Sequence, residues 1–240
     1  RSPSRGLGDV YKRQGESRQG VPAPFHPYYP GDEYAFKYTQ YDSSKANKIL
    51  DGIMPKKGSD GFRVMSNGKT LDIEIGVVPA FGAWTDIAQL IVENWADIGV
   101  KAHVEVRERT VHFAMRPANE LMSEVWNEDT TGFPFSGQPK FDPRSDPALT
   151  FAPLVAKWYA TNGKQGVAPQ PEIKRIVEII DEAKTSSRNR QVALAKELFS
   201  IWADNVYEIG TVGLTPMIQG CLLYTSDAAD DSLRVDLGGR

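Results

Sequence analysis

The stretch running through LDIEIGVV (71–78), WTDIAQLIVENWADIGV (84–100) and KAHVEVRE (101–108) constrains the fold more than any other part of the chain. Ile87, Leu90, Ile91, Asn94, Trp95 and Ile98 recur at steps of three and four, the period of one helix face, and Gly99 supplies the stop. The first segment begins by alternating apolar and polar residues and the last does so throughout, so each reads as a strand with one buried side. Strand, helix and strand in this order place both strands in one sheet. The expected class is therefore α/β, and the pattern argues against an all-helical bundle or a β-sandwich.

The flanking segments extend this picture. YDSSKANKILDG (41–52) predicts a helix with Asp42 or Ser43 as N-cap, with Ala46, Ile49 and Leu50 on one face and Gly52 near its end. Asp60-Gly61 and Asn67-Gly68 supply the positive φ that hairpin turns need. TVHFAMRPAN (110–119) predicts a short helix broken near Pro117, and LMSEVW (121–126) a strand entering a long polar loop. Further helices are expected in 148–162, 171–185 and 189–205, and a last strand near Glu208 to Val212. Strands around Leu71 to Val78, Lys101 to Val106, Leu121 to Trp126 and Glu208 to Val212 are expected in one mixed sheet flanked by helices. The Pro-rich run GVPAPFHPYYP (20–30) predicts an extended surface segment whose Phe25, Tyr28 and Tyr29 pack onto other residues.

The two ends look foreign to this pattern. DVYKRQ (9–14) back-translates to GAT GTG TAT AAG AGA CAG, which resembles a transposase adapter used in sequencing libraries, and CLLYTSDAAD (221–230) resembles its reverse complement. Residues 1–14 and 221–240 are therefore expected to be adapter-derived, with few packing contacts, and 15–220 to be the segment that folds. Trimming removes Cys221, the single cysteine, so no disulfide, thiolate nucleophile or Cys-based metal site is expected. His26, His103 and His112 lie far apart with no HExxH spacing, and KKGSDGFR (56–63) offers too few oxygens for calcium, so no metal and no cofactor is expected. A net charge of −3 argues against nucleic acid as a partner, and no stretch approaches the roughly 20 apolar residues that cross a bilayer.

Several segments in order resemble the peptide/nickel-type solute-binding proteins of ABC importers: YDSSKANKILDG, GSDGFRVMSNGKTLDIEI, IAQLIVENWADIGVKAHVEVRERT, ANELMSEVW and LFSIWADNVYEIGTV. The resemblance implies a two-lobed periplasmic-binding-protein-like fold, of which residues 15–220 correspond to most of the C-terminal lobe. It implies capture of a peptide or other small-molecule ligand outside the cytoplasm, in the periplasm or on a membrane-anchored lipoprotein. It also implies delivery to a membrane permease by a monomeric protein, with no catalysed reaction. It further implies that Trp126 forms a pocket wall and that Asp129 pairs with a ligand ammonium, with Glu128 a competing acid beside it; the other reading of these residues is a solvated acidic turn beside a core tryptophan. Arg109 and Arg116 are candidates for a ligand carboxylate, or for ion pairs with Glu105, Glu108 or Glu120, and Trp84 for the cleft or, preferably, the core. Trp95, Trp158 and Trp202 are expected in the core. The alternatives are a sensory ligand-binding domain of the same fold, and a hydrolase using Glu124 with Glu128 or Glu128 with Asp129.

Overall fold

A computed structural model describes residues 16–80, 83–127, 134–136 and 140–213. The expectations about both ends, and about Glu128 and Asp129, lie outside the described residues. The chain divides into two compact units, Gln40–Leu194 and a second made from Arg1–Thr39 with Ala195–Arg240.

The Gln40–Leu194 unit is built on a parallel sheet of β1 (Asp72–Val77), β2 (Lys101–Val106) and β3 (Ser123–Glu124) in the order β2-β1-β3. Register runs from Asp72 opposite Lys101 to Val77 opposite Val106, and Gly76 lies opposite Glu124. The expected βα unit is present: α3 (Trp84–Asp97) joins β1 to β2 and packs on both, burying Trp84, Ile87 and Ala88. Ile75, Val77, Val78 and Val100 are buried with them. Gly99, at φ 77°, turns the chain from α3 into β2. Antiparallel pairing, expected as part of a mixed sheet, is limited among the described residues of this unit to isolated bridges at Lys57–Arg63 and Val64–Thr70. These flank the turns at Gly61 and Gly68, whose φ values of 82° and 80° fit the hairpin reading.

Helices α2 (Ser43–Ile53), α4 (Arg109–Ala118), α5 (Pro153–Ala160), α6 (Pro171–Ala183) and α7 (Arg188–Asp204) follow the expected segments. Asp42 caps α2, its carboxylate accepting the Lys45 N–H at 2.8 Å. The apolar face of α2 is only partly covered: Ala46 and Leu50 are half-buried, while Ile49 is 54% exposed and Ile53 69%. What holds α2 is a polar anchor, the fully buried Arg63, which donates to Asp51 Oδ1, Met54 O and Asn47 Oδ1, each at 2.8 Å. Arg63 Nε also donates to Ile98 O at 3.0 Å, tying the same hub to the end of α3. Pro117 sits in the last turn of α4, which closes on Asn119 in the left-handed region at φ 57°. Ile173, Ile176, Ile179, Ile180 and Ala183 bury one face of α6. The loop before α5 is pinned to α6 by Arg144, which bonds both oxygens of Asp142 and, at 2.8 and 2.9 Å, both oxygens of Asp181. Trp95 and Trp158, expected in the core, are half-buried.

In the other unit, α1 (Asp32–Ala35) was not anticipated. The expected strand at Glu208 to Val212 is not formed and joins no sheet; the pairing there is one antiparallel bridge, Glu16–Gly213. Glycine explains the difference. A Cβ on Gly210 would stand 2.1 Å from Arg18 O, so IGTVG is shaped for close passage of residues 18–19 rather than for a ladder. Tyr28 and Val21 are buried, but Phe25, expected to pack, is 78% exposed. Trp202, in the second half of α7, is buried as expected.

Candidate functional site

Three parallel strands end together, and the segments leaving them meet at that edge. β1 leads through Val78, Pro79 and Ala80 toward Trp84 at the start of α3. β2 leads through Arg107 and Glu108 into α4, and β3 through Val125 to Trp126. In α/β sheets this carboxyl edge is where ligands bind, because loops diverge there and leave a crevice. An open depression of about 370 Å³ lies at this edge, floored by Val78, Pro79, Ala80 and Val106 and rimmed by Arg107, Glu108 and Arg109.

Beside the depression stands an aromatic and cationic cluster. Trp126 is half-buried; its ring lies 5.0 Å from that of Trp84, tilted by 51°, and 5.3 Å from Phe113, edge to face at 89°. The His112 ring lies 6.5 Å away and nearly parallel, at 13°. Helical spacing makes this possible, since Arg109, His112, Phe113 and Arg116 stand at i, i+3, i+4 and i+7 on one face of α4. Both guanidinium groups lie against aromatic rings: Arg116 at 4.2 Å from the Phe113 centre and 4.9 Å from Trp126, Arg109 at 5.4 and 5.9 Å.

Glu124 holds the cluster to β3. Its Oε2 accepts from Arg116 Nε at 3.1 Å and Nη2 at 2.8 Å, and lies 2.5 Å from His112 Nε2. Arg116 Nη1 donates to Ala148 O at 3.3 Å. His112 is fully buried, and only a glycine leaves room for it: a Cβ on Gly76 would stand 2.9 Å from His112 Cε1. Glu108 caps α4, its Oε2 accepting the N–H groups of Thr110 and Val111 at 2.7 and 3.2 Å. Behind the edge, Arg107 meets Glu74 at 2.8 Å, which holds the Glu74 carboxyl below its ordinary range.

Of the residues singled out in the sequence, Trp84, Trp126, Arg109 and Arg116 are brought together here. Trp84 is buried, backing Trp126, which agrees with the core assignment. Arg116 is in an ion pair, but with Glu124 rather than Glu105, Glu108 or Glu120. Arg109 is exposed and ion-pairs with none of the described residues. His112 and Phe113 were missed, although their i+3 and i+4 spacing from Arg109 was readable. Glu124, named in the sequence as one half of an acid pair with Glu128, meets His112 and Arg116, and Glu128 lies outside the described residues. Among the described residues, no group of three or more His, Cys, Asp or Glu side chains is placed to hold a metal ion. No helix among them is long and apolar enough to cross a membrane.

A profile of the bacterial extracellular solute-binding proteins, family 5 (middle region), matches residues 7–148. No curated protein matches the sequence. Among solved structures, an oligopeptide-binding protein, OppA, superposes with a TM-score of 0.74 at 25% identity, over 85% of this chain and 34% of that one. The oligopeptide-binding protein AppA from Bacillus subtilis, in complex with a nonapeptide, gives 0.63 at 16% identity, over 86% and 38%. NikA from Brucella suis, in complex with Fe(III)-EDTA, gives 0.59 at 17% identity, over 82% and 36%. The chain thus spans a little over a third of the length of these structures.

Proposed function

Because the chain belongs to family 5 of the bacterial extracellular solute-binding proteins, we propose that it is part of the extracytoplasmic solute-binding component of an ABC importer, taking a peptide or similar small solute and delivering it to a membrane permease. The observation that carries this reading is the half-buried Trp126 at the carboxyl edge of the parallel sheet, with the Arg109 guanidinium, unpaired among the described residues, beside it. A flat indole gives ligand backbone an apolar wall without competing polar groups. A guanidinium with no carboxylate partner among the described residues is well placed to fork onto a ligand carboxylate. Arg116 is already engaged by Glu124, so it serves the wall. Asp129, three residues beyond Trp126, is the proposed partner of a ligand ammonium, since an ammonium enclosed without a counter-charge costs several kcal/mol by general estimates.

The chain covers only 34–38% of the length of these structures, so the proposed ligand is enclosed between this region and the remainder of a longer polypeptide. Calorimetric titration of tripeptides into a chain extended to the length of the relatives tests the proposal. Trp126→Ala should weaken every peptide, about tenfold or more, by analogy with buried aromatic anchors. Arg109→Ala should weaken peptides with a free carboxylate more than amidated ones, and Asp129→Asn those with a free α-amino group more than N-acetylated ones. Equal loss across each pair would remove that residue from the site. Unchanged affinity in Trp126→Ala would remove the site from this edge.

A further inference from the structure

Arg109 and Arg116 stand two turns apart on α4, and both lie against Trp126, yet among the described residues only Arg116 has a carboxylate. Glu124 Oε2 receives two of its N–H groups, at 2.8 and 3.1 Å, while Ala148 O takes a third at 3.3 Å. The Arg116 side chain is 14% exposed and that of Glu124 29%, so the pair is shielded enough for its charges to be felt at the ring beside it. His112, the remaining partner of Glu124, is stacked on the same ring at 13°.

We infer that Glu124 is a specificity-determining residue that acts through Arg116 and does not touch ligand: it cancels one of the two cationic charges at the Trp126 wall and leaves Arg109 as the one uncompensated among the described residues. A site with two uncompensated guanidinium groups favours ligands with two negative groups; with Glu124 in place it favours one. The consequence for ligand choice rests on the reading of Trp126 as the binding wall, but the charge at the ring is measurable with no ligand present.

The test is collisional quenching of Trp126 in the 240-residue chain by iodide, caesium and acrylamide. The Trp126 contribution is taken as the difference from Trp126→Phe in the same background. In Glu124→Gln, iodide quenching should rise about twofold at low ionic strength and caesium quenching fall, because the local potential becomes more positive. High salt should erase both changes, and acrylamide, being neutral, should quench as before. Adding Arg116→Gln should return iodide quenching to its starting value, the coupling expected of a pair that acts as one unit. Arg116→Gln alone, which leaves the Glu124 charge in place, should move iodide and caesium in the opposite directions, and this variant carries the test if Glu124→Gln does not fold. Unchanged iodide quenching in Glu124→Gln, or a rise matched by acrylamide, overturns the inference. Ion selectivity that tracks the Glu124 charge in this way, in a protein whose peptide binding ignores Trp126, would instead overturn the proposed site and leave the charge assignment standing.

Discussion

Gly76 shows how closely one residue can govern the candidate site. It lies in the middle of the sheet, opposite Glu124, and its missing side chain is the space His112 fills. Gly76→Ala should therefore displace His112 and break its contact with Glu124. Overpacking of this kind costs about 1–3 kcal/mol, so thermal melting should show a drop of several degrees, accompanied by a change in Trp126 emission. A normal melt with unchanged emission would mean that the imidazole moves freely. This relation was not legible in the sequence, where Gly76 is one more small residue in an apolar strand and His112 an isolated histidine. Trp126 and Arg109 were singled out through the family resemblance, and their contact with ligand is a proposal. The roles of Glu124 and His112 depend on partners from another element, and only register across the sheet brings those together.

Elements were more readable than sites, for a physical reason: periodicity is local. The helix of residues 84–97 and the strand after it came from spacing, and the turns at Gly61 and Gly68 from the Asp-Gly and Asn-Gly dipeptides. Non-local contacts are what the pattern does not show, as with α2, where Ile49 and Ile53 are exposed and Arg63 bonds the helix through Asn47, Asp51 and Met54. Arg63→Leu should cost about 3 kcal/mol or more, since it strands carbonyl and amide oxygens made for a buried donor. Chemical denaturation should show the loss, and α2 amides should exchange faster; equal stability would mean that the apolar face carries α2 after all. The Arg144 clamp gives a pH signature. Hydrogen bonds from Arg144 and then Lys184 hold Asp181 at about 2. A carboxyl held below its unfolded value stabilises the fold above that value, near pH 4, and the contribution disappears as pH falls toward 2. Asp181→Asn should thus melt below the parent protein at pH 6, by a small margin because the carboxylate is half exposed. The two melting curves should converge between about pH 4 and pH 2; a gap that stays constant with pH would sink the assignment.

At the scale of the whole molecule, the unit outside Gln40–Leu194 is assembled from both ends of the described chain. Glu16 pairs with Gly213, the Gly210 N–H donates to Gln19 Oε1 at 2.8 Å, and Lys37 meets Asp204. No local pattern announces such pairings, which is why a strand was expected where a glycine-lined crossing occurs. Their consequence lies in the order of folding. Every one of these contacts closes a loop that contains the entire Gln40–Leu194 unit, and loop closure is an entropic cost met before the contact gives anything back. Once that inner unit has collapsed, its two chain exits are held at a fixed separation, and the same contacts close over a far shorter effective path. Refolding should accordingly proceed from the inside outward. Pulsed hydrogen exchange should find the β1 and β2 amides protected first and those of Glu16 and Gly213 last, and Arg63→Leu, which loosens only the inner unit, should delay both sets together.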